Sequence, residues 1–261
     1  MNSHLKLKVM DVEICYGSYK ALSRVEFEVS PGEFIALLGT NGAGKTTLLK
    51  TIARILKPRK GVIYLNGKNI MEMNDREYAK ITGYLPQIND MSTPMRVFEV
   101  VSMGRKPYVT WQLTKEDINK IWSAMKTTEV DYLAFRSISE VSGGERQRVM
   151  IARILAQEPK VLLLDEPVTH LDLKYQRDIL KLIRKVTRER KLITITSLHD
   201  INLAFRFADK VILMKKGLIY AIGKPEEVLV PENIREVFEV NAILANNPRP
   251  FIVIEDDTEG D

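Results

Sequence analysis

Apolar and charged residues alternate along two stretches near the start of the chain, at 5–9 and 25–29. A period of two gives a strand one apolar face and one polar face. Antiparallel sheets commonly expose one face to solvent, so the two stretches predict strands of an antiparallel sheet. A further short strand is predicted at 62–65, before the turn signal Asn66-Gly67.

The apolar run at 34–38 is followed by a glycine-rich turn at 39–44 and then by a helical pattern. From Lys45 onward the apolar residues recur at helical spacing, and they are Leu48, Ile52, Ile55 and Leu56. The predicted order is strand, loop and helix, with all four apolar residues on the helix.

The pattern changes to helical spacing after the first third of the chain. Three helices are predicted, at 94–101, 115–125 and 145–156, with no convincing strand between them. We therefore interpret 88–157 as a helical subdomain inserted between 1–87 and 158–261. All three parts belong to one domain that covers 1–261.

Strand and helix patterns alternate through the last third of the chain. Apolar runs lie at 161–164, 192–196 and 211–214, and helical patterns lie at 173–188 and 201–208. Strands that are apolar on both faces and separated by helices predict a parallel sheet with right-handed crossovers. The predicted fold class is α/β, with a mostly parallel sheet, an antiparallel β subdomain and the inserted helices.

Composition limits the class of protein. The 261 residues, of which 45% are hydrophobic, suffice for one large domain with a sizeable core. The net charge of +5 comes without an arginine-rich run, so we expect no nucleic-acid partner. No stretch reaches the roughly 18 apolar residues of a membrane span, so we expect a cytosolic chain unless a partner holds it at a membrane. Cys15 is the single cysteine, which excludes an internal disulfide and a cysteine-based metal cluster. We therefore expect any metal ion to be bound together with a ligand.

The turn after the strand at 34–38 carries the spacing G-x-x-x-x-G-K-[ST], which is informative only between a strand and a helix. Backbone N–H groups of such a loop and of the following helix bind phosphate oxygens. Lys45 is then expected at the β- and γ-phosphates, and the Thr46 hydroxyl at Mg²⁺. The expected nucleotide contacts are Gly39, Thr40, Asn41, Gly42, Ala43, Gly44, Lys45, Thr46 and Thr47.

Polar side chains follow two of the predicted parallel strands, at the edge where ligands bind such sheets. We assign Asp165 to Mg²⁺ and Glu166 to the water that attacks the γ-phosphate. His199 follows the next strand and could donate a hydrogen bond to the γ-phosphate. Gln87 lies where sheet and helical subdomain meet, where its amide could approach the metal or the water.

A second helix start, at 141–148, has the sequence VSGGERQR. Ser142 can cap this helix while the backbone N–H groups at Gly143 and Gly144 face an anion. A second anion-binding helix end suggests a second nucleotide contact, and the nucleotide need not be bound by the same chain.

Together these motifs resemble those of the ATP-binding subunits of ABC transporters, in the order typical of that family. They are an aromatic at Tyr16, the Walker A loop at 39–47, Gln87 of the Q-loop, the signature at 141–148, the Walker B run at 161–167, and a D-loop at Leu171-Asp172 followed by the switch histidine His199. The resemblance covers nearly the whole chain and implies the ABC ATPase fold on a P-loop NTPase core.

The resemblance also implies cofactors, partners and location. Two copies would sandwich two ATP molecules with Mg²⁺, each between one chain's Walker A loop and the other chain's Ser142, Gly143 and Gly144. Tyr16 would stack on adenine, and Gln87 would take part in metal binding and catalysis with Glu166 and His199. The subunit would bind an integral membrane permease at the cytoplasmic face of the membrane, and the permease would receive cargo from an extracytoplasmic binding protein.

The cargo is indicated only by resemblance. The stretches at 103–108 and 223–228, with an ending near Pro250-Phe251, are similar to importers of iron-siderophore, haem or cobalamin. The absence of a fused membrane domain favours an importer over an exporter subunit. A zinc or manganese importer ATPase and a soluble, non-transport ABC ATPase remain alternatives.

Overall fold

The computed structural model describes residues 5–87, 94–246 and 250–255. The strands are β1 (Leu7–Tyr16), β2 (Tyr19–Val29), β3 (Phe34–Leu38), β4 (Lys60–Leu65), β5 (Lys68–Asn69), β6 (Thr82–Leu85), β7 (Val161–Leu164), β8 (Ile193–Ser197), β9 (Lys210–Lys215), β10 (Leu218–Gly223), β11 (Ala242–Asn246) and β12 (Pro250–Ile254). The helices are α1 (Lys45–Ile52), α2 (Asp75–Ile81), α3 (Val97–Ser102), α4 (Lys115–Thr127), α5 (Gly143–Ala156), α6 (Leu173–Glu189), α7 (Ile201–Phe207), α8 (Pro225–Val228) and α9 (Pro231–Phe238).

The antiparallel sheet has the strand order β2-β1-β4-β5. Strand β1 pairs antiparallel with β2 on one side and with β4 on the other. Along β2 the buried residues alternate with exposed ones from Val25 to Val29. The predicted antiparallel region is therefore confirmed.

The central sheet has the order β10-β9-β3-β8-β7-β6. Five of these strands run parallel, and only the edge strand β10 pairs antiparallel, with β9. The predicted parallel sheet is confirmed, although the sequence pattern did not reveal β6 and β10. In this order β3, β8 and β7 are neighbours, so the residues that follow them meet at one edge of the sheet.

The two faces of the central sheet are covered differently. Alternate residues of β3 belong to separate hydrophobic clusters, with Ala36 and Leu38 on one face and Ile35 and Leu37 on the other. The first face packs against α3, α4 and α5 and against α6 and α7, while the second packs against α1 and the antiparallel sheet. Complete burial of β3 on both faces fixes the position of the loop that follows it.

Helix α1 is shorter than the sequence pattern predicts. It ends at Ile52, and Arg54 adopts a left-handed conformation with φ of 60° that a continuing helix cannot contain. The Arg54 guanidinium donates to the Met73 carbonyl oxygen at 3.0 Å, which holds the chain in this turn. The prediction that Ile55 and Leu56 belong to the helix is therefore wrong.

The predicted helices at 94–157 are present as α3, α4 and α5, and no named strand lies in this part of the described chain. The proposed start of the helical subdomain at residue 88 falls outside the described residues. The division into 1–87, 88–157 and 158–261 stays a prediction. Helices α8 and α9 and the hairpin β11–β12 end the described fold. None of the described helices is both long and apolar enough to cross a membrane.

Candidate active site

The loop between β3 and α1 requires glycine at two positions. Gly39 has φ of 148°, and a Cβ there would lie 2.3 Å from the Met214 carbonyl oxygen of β9. Gly44 has φ of 103°, and a Cβ there would lie 2.8 Å from the Ala21 carbonyl oxygen of β2. Side chains at these positions would displace the loop, so both glycines are needed for its close approach to the two strands.

Lys45 begins α1 beneath this loop. Its Nζ atom donates to the carbonyl oxygens of Gly39 at 2.6 Å and Thr40 at 3.1 Å. Burial lowers the pKa of the Lys45 ammonium, and the carboxylates of Glu166 and Asp165 oppose that shift. A cation held inside a loop of backbone N–H groups is the arrangement that binds phosphate.

Asp165 follows β7 and is almost fully buried. Its Oδ1 atom accepts from Thr46 Oγ1 at 3.0 Å and from Ser197 Oγ at 2.8 Å. Tyr84 OH of β6 donates to Oδ2 at 3.4 Å, and burial together with this carboxylate raises the pKa of the Tyr84 phenol. The predicted pair of Thr46 and Asp165 is thus brought together.

This pair fits a magnesium ion that arrives with a nucleotide. Mg²⁺ prefers oxygen ligands and is commonly held by one or two carboxylates together with substrate phosphates and water. The Thr46 hydroxyl and the Asp165 carboxylate supply such oxygens beside the phosphate loop. Within the described ranges no group of three or more His, Cys, Asp or Glu residues could hold a metal ion.

Glu166 lies at the centre of the remaining predicted side chains and has a left-handed φ of 50°. His199 Nε2 lies 2.5 Å from its Oε1 atom, and Gln87 Nε2 donates to Oε2 at 2.8 Å. Thr169 Oγ1 also donates to Oε2, at 3.2 Å. The structure therefore brings Gln87, Glu166 and His199 together, with the Gln87 amide on the carboxylate.

A hydroxyl that the sequence analysis missed connects Glu166 to Asp165. Ser197, the last residue of β8, accepts from the Glu166 backbone N–H at 2.8 Å and donates to Asp165 Oδ1. Ser197 could have been predicted from the sequence, because it ends a parallel strand and ligands bind at the carboxyl ends of such strands. Tyr84 was missed because β6 was not predicted, and no sequence signal identified Thr169.

Tyr16 and Tyr19 form one wall of the pocket above the phosphate loop. They are paired residues at the turn between β1 and β2, so both side chains lie on the same face of the hairpin. Tyr19 OH donates to the Gly42 carbonyl oxygen at 3.4 Å. The pocket is lined by Tyr16, Tyr19, Ala21, Asn41, Gly42, Ala43, Gly44, Lys45, Thr46, Thr47 and Glu166.

Ser142 caps α5 in a different part of the chain. Its Oγ accepts from the Glu145 backbone N–H at 3.3 Å, and the Glu145 carboxylate accepts from the Ser142 N–H at 2.8 Å and from its hydroxyl at 2.7 Å. These hydrogen bonds from Ser142 lower the pKa of Glu145. Gly144 packs against the ring of Tyr175. Residues 142–144 are absent from the described lining of the phosphate-loop pocket.

Comparison with known proteins gives concordant matches. The family model described as "ABC transporter" matches residues 22–169. The chain is 44% identical to an uncharacterized ABC transporter ATP-binding protein of Methanocaldococcus jannaschii, over 92% of this chain and 94% of that protein. It is 35% identical to the ferric enterobactin transport ATP-binding protein of Escherichia coli, over 93% and 90% of the two chains. A solved metal-chelate type ABC transporter in an inward-facing conformation superposes with a TM-score of 0.85 at 26% identity, covering 97% of this chain and 99% of that chain.

Proposed function

The chain belongs to the ABC transporter family as an ATP-binding subunit and ATPase, and on that premise we propose that it powers import of a metal chelate through a separate permease. The observation that carries the catalytic part is the Glu166 carboxylate, which contacts Gln87 and His199 directly beside the Thr46 and Asp165 pair. Glu166 also lines the pocket formed by the phosphate loop, which supports its assignment to hydrolysis.

The proposed mechanism divides hydrolysis among these residues. The loop N–H groups and Lys45 bind the phosphates of ATP, and Tyr16 stacks on the adenine. Thr46 and Asp165 would hold Mg²⁺, with Gln87 as a further ligand, and the ion would supply positive charge next to the β- and γ-phosphates. Glu166 accepts a proton from the attacking water, and His199 donates a hydrogen bond to the γ-phosphate.

We place the second anion site in a second copy of the chain. Ser142, Gly143 and Gly144 are not part of the described lining of the phosphate-loop pocket, which supports a role on the ATP bound by a partner. The proposed assembly is a homodimer that holds two ATP molecules between the two chains. Hydrolysis of ATP separates the chains again.

The dimer is proposed to lie at the cytoplasmic face of the membrane, bound to the permease. The helical subdomain at 88–157 would transmit the separation of the two chains to the permease through the groove beside Gln87. An extracytoplasmic binding protein would deliver the cargo. The ferric enterobactin transport protein of E. coli and the metal-chelate type transporter support a metal chelate such as iron-siderophore, haem or cobalamin over free zinc or manganese.

Purification of the tagged chain from its native membranes in mild detergent tests the transport function, with copurifying proteins identified by mass spectrometry. Recovery of a permease of many helices together with a metal-chelate binding protein is the expected result. Uptake of a ⁵⁵Fe-loaded siderophore, compared with ⁶⁵Zn, then tests the cargo class. Recovery of ribosomal proteins without a membrane partner would overturn transport and leave the ATPase chemistry intact.

A further inference from the structure

The side chain of Asn202 joins helix α7 to the C-terminal hairpin β11–β12. Its Nδ2 donates to the Ile252 carbonyl oxygen at 3.0 Å, and its Oδ1 accepts from the Ile252 N–H at 2.7 Å. The amide therefore pairs with one residue of β12 in the manner of a neighbouring strand. Both hydrogen bonds need a side-chain amide, because a carboxylate lacks the donor and an alkyl group lacks both partners.

A small hydrophobic cluster strengthens the same contact. Ile234 of α9, Ala242 of β11 and Ile252 of β12 are buried together, and Ile201 packs against them. Ile201 is the first residue of α7. The hairpin and α9 therefore contact the start of α7 through apolar packing, and the hairpin also contacts it through the Asn202 amide.

The start of α7 determines where His199 lies. Asp200 caps the helix, and its Oδ1 accepts from the Leu203 N–H at 3.0 Å. On the other side of His199, the buried Leu198 donates its N–H to the Leu37 carbonyl oxygen of β3 at 3.0 Å. His199 thus lies in the short segment that connects the edge of the central sheet to the start of α7.

The His199 ring itself has few constraints. Its side chain is 44% exposed, and within the described part of the chain its recorded polar contact is with Glu166 Oε1. The backbone on either side must therefore supply much of its orientation. A tilt of α7 would move the imidazole relative to Glu166 and to the γ-phosphate.

We propose that the C-terminal hairpin positions His199 for hydrolysis, with Asn202 as the positioning residue that fixes α7 to β12. The inference rests on the proposed role of His199. Asn202 acts through the backbone at 199–201, and the hydrogen bonds of its side chain in the described part of the chain are with Ile252 rather than with the phosphate loop. The expected consequence is a contribution to kcat without a contribution to ATP binding.

The test compares Asn202→Ala with a matched control, Asn233→Ala. Asn233 Nδ2 also donates to a backbone carbonyl in the C-terminal part, that of Val228 at 2.8 Å, but it does not contact α7 in the described hydrogen bonds. We expect Asn202→Ala to lower kcat about tenfold, because small displacements of a catalytic group are costly. KM for ATP should stay at the wild-type value, and Asn233→Ala should leave kcat unchanged.

Two further variants make the result decisive. Asn202→Asp keeps the size of the side chain and the acceptor but loses the donor, so it should also lower kcat. This variant provides the test if Asn202→Ala proves poorly folded. In a His199→Ala background, Asn202→Ala should reduce the residual rate no further, because positioning an absent ring has no effect. An equal loss of kcat in the Asn202→Ala and Asn233→Ala proteins, with equal loss of thermal stability, would overturn the inference.

The failure of the inference differs from the failure of the proposed function. If His199→Ala lowers kcat while both Asn202 variants hydrolyse ATP at the wild-type rate, the hairpin does not position His199 and the ATPase mechanism stands. If His199→Ala itself hydrolyses ATP at the wild-type rate, the proposed role of His199 is wrong and the positioning role falls with it.

Discussion

Replacement of Glu166 by glutamine should separate nucleotide binding from hydrolysis. Oε2 accepts from Gln87 and Thr169, whereas the recorded partner of Oε1 in the described structure is His199. A glutamine can keep its carbonyl oxygen in the place of Oε2, where it still accepts from Gln87 and Thr169. Its NH₂ group then takes the place of Oε1 and can donate to the imidazole, because a neutral imidazole has one nitrogen that accepts a hydrogen bond. We therefore expect Glu166→Gln to fold normally and to bind MgATP.

The magnitude follows from the role given to this carboxylate. A positioned general base contributes roughly 10²–10⁴-fold to a rate. At 1.36 kcal/mol per factor of ten, the loss corresponds to about 3 to 5 kcal/mol in the activation barrier. Because the phosphate loop and Lys45 are unchanged, KM for ATP should remain close to that of the wild type.

The assay measures phosphate release at saturating MgATP and, separately, the oligomeric state by size-exclusion chromatography in the same buffer. Glu166→Gln should elute as an ATP-bound dimer, because binding continues while hydrolysis is slow. Glu236→Gln is the matched control, since this exposed carboxylate pairs with Lys215 Nζ at 2.5 Å and lies outside the described lining of the phosphate-loop pocket. It should turn over at the wild-type rate.

Two results would refute the reasoning. Wild-type turnover by a folded Glu166→Gln protein would mean that another group activates the water. Loss of ATP binding in the same protein would mean that the carboxylate supports the nucleotide pocket itself, contrary to its assigned role.

Three further predictions concern the loop and the helical region. Lys45→Ala should lose stabilisation by ATP, which in the wild type reaches about 2.7 kcal/mol at a nucleotide concentration 100 times Kd, and thermal melts with and without MgATP measure this difference. Gly44→Ala should lower both Tm and ATP affinity, because its Cβ would lie 2.8 Å from the Ala21 carbonyl oxygen at a left-handed φ; an unchanged Tm would contradict the close approach. Hydrogen bonds from Thr114 and Arg105 lower the pKa of Asp117 in the folded protein. The wild type should therefore lose stability as pH falls from about 4, the ordinary pKa of an aspartate in the unfolded chain, through the lower pKa of the folded state. Urea unfolding of Asp117→Asn should show lower stability at pH 7 and a weaker acid dependence, and an unaltered pH profile would exclude this carboxylate as the source.

The sequence predicts much of the site because its motifs are local and strand ends share one edge of a parallel sheet. Strand β3, its loop and α1 are consecutive, and Asp165, Glu166 and His199 each follow a predicted strand. The rule that ligands bind at this edge of a parallel sheet groups these three residues from the sequence alone. The roles given to them remain predictions.

Other features depend on contacts that no local pattern records. Strand β6 has four residues, including Thr82 and Gly83, and it is specified by parallel pairing with β7 rather than by propensity. The end of α1 depends on an arginine that reaches a distant carbonyl oxygen. Asn202 looks in the sequence like any polar helix residue, because its partner lies fifty positions away in β12.

The phosphate-loop pocket of one chain has no Ser142 in its described lining, and this has a kinetic consequence. Under the proposed assembly, an isolated chain lacks the part of its catalytic site that residues 142–144 of a second chain supply. At low concentration the rate of hydrolysis should therefore rise with the square of the protein concentration. At high concentration, or on a permease that holds two copies together, the rate per chain should become constant. A chain without its membrane partner would then consume little ATP, so hydrolysis would be confined to assembled transporters without a separate inhibitor.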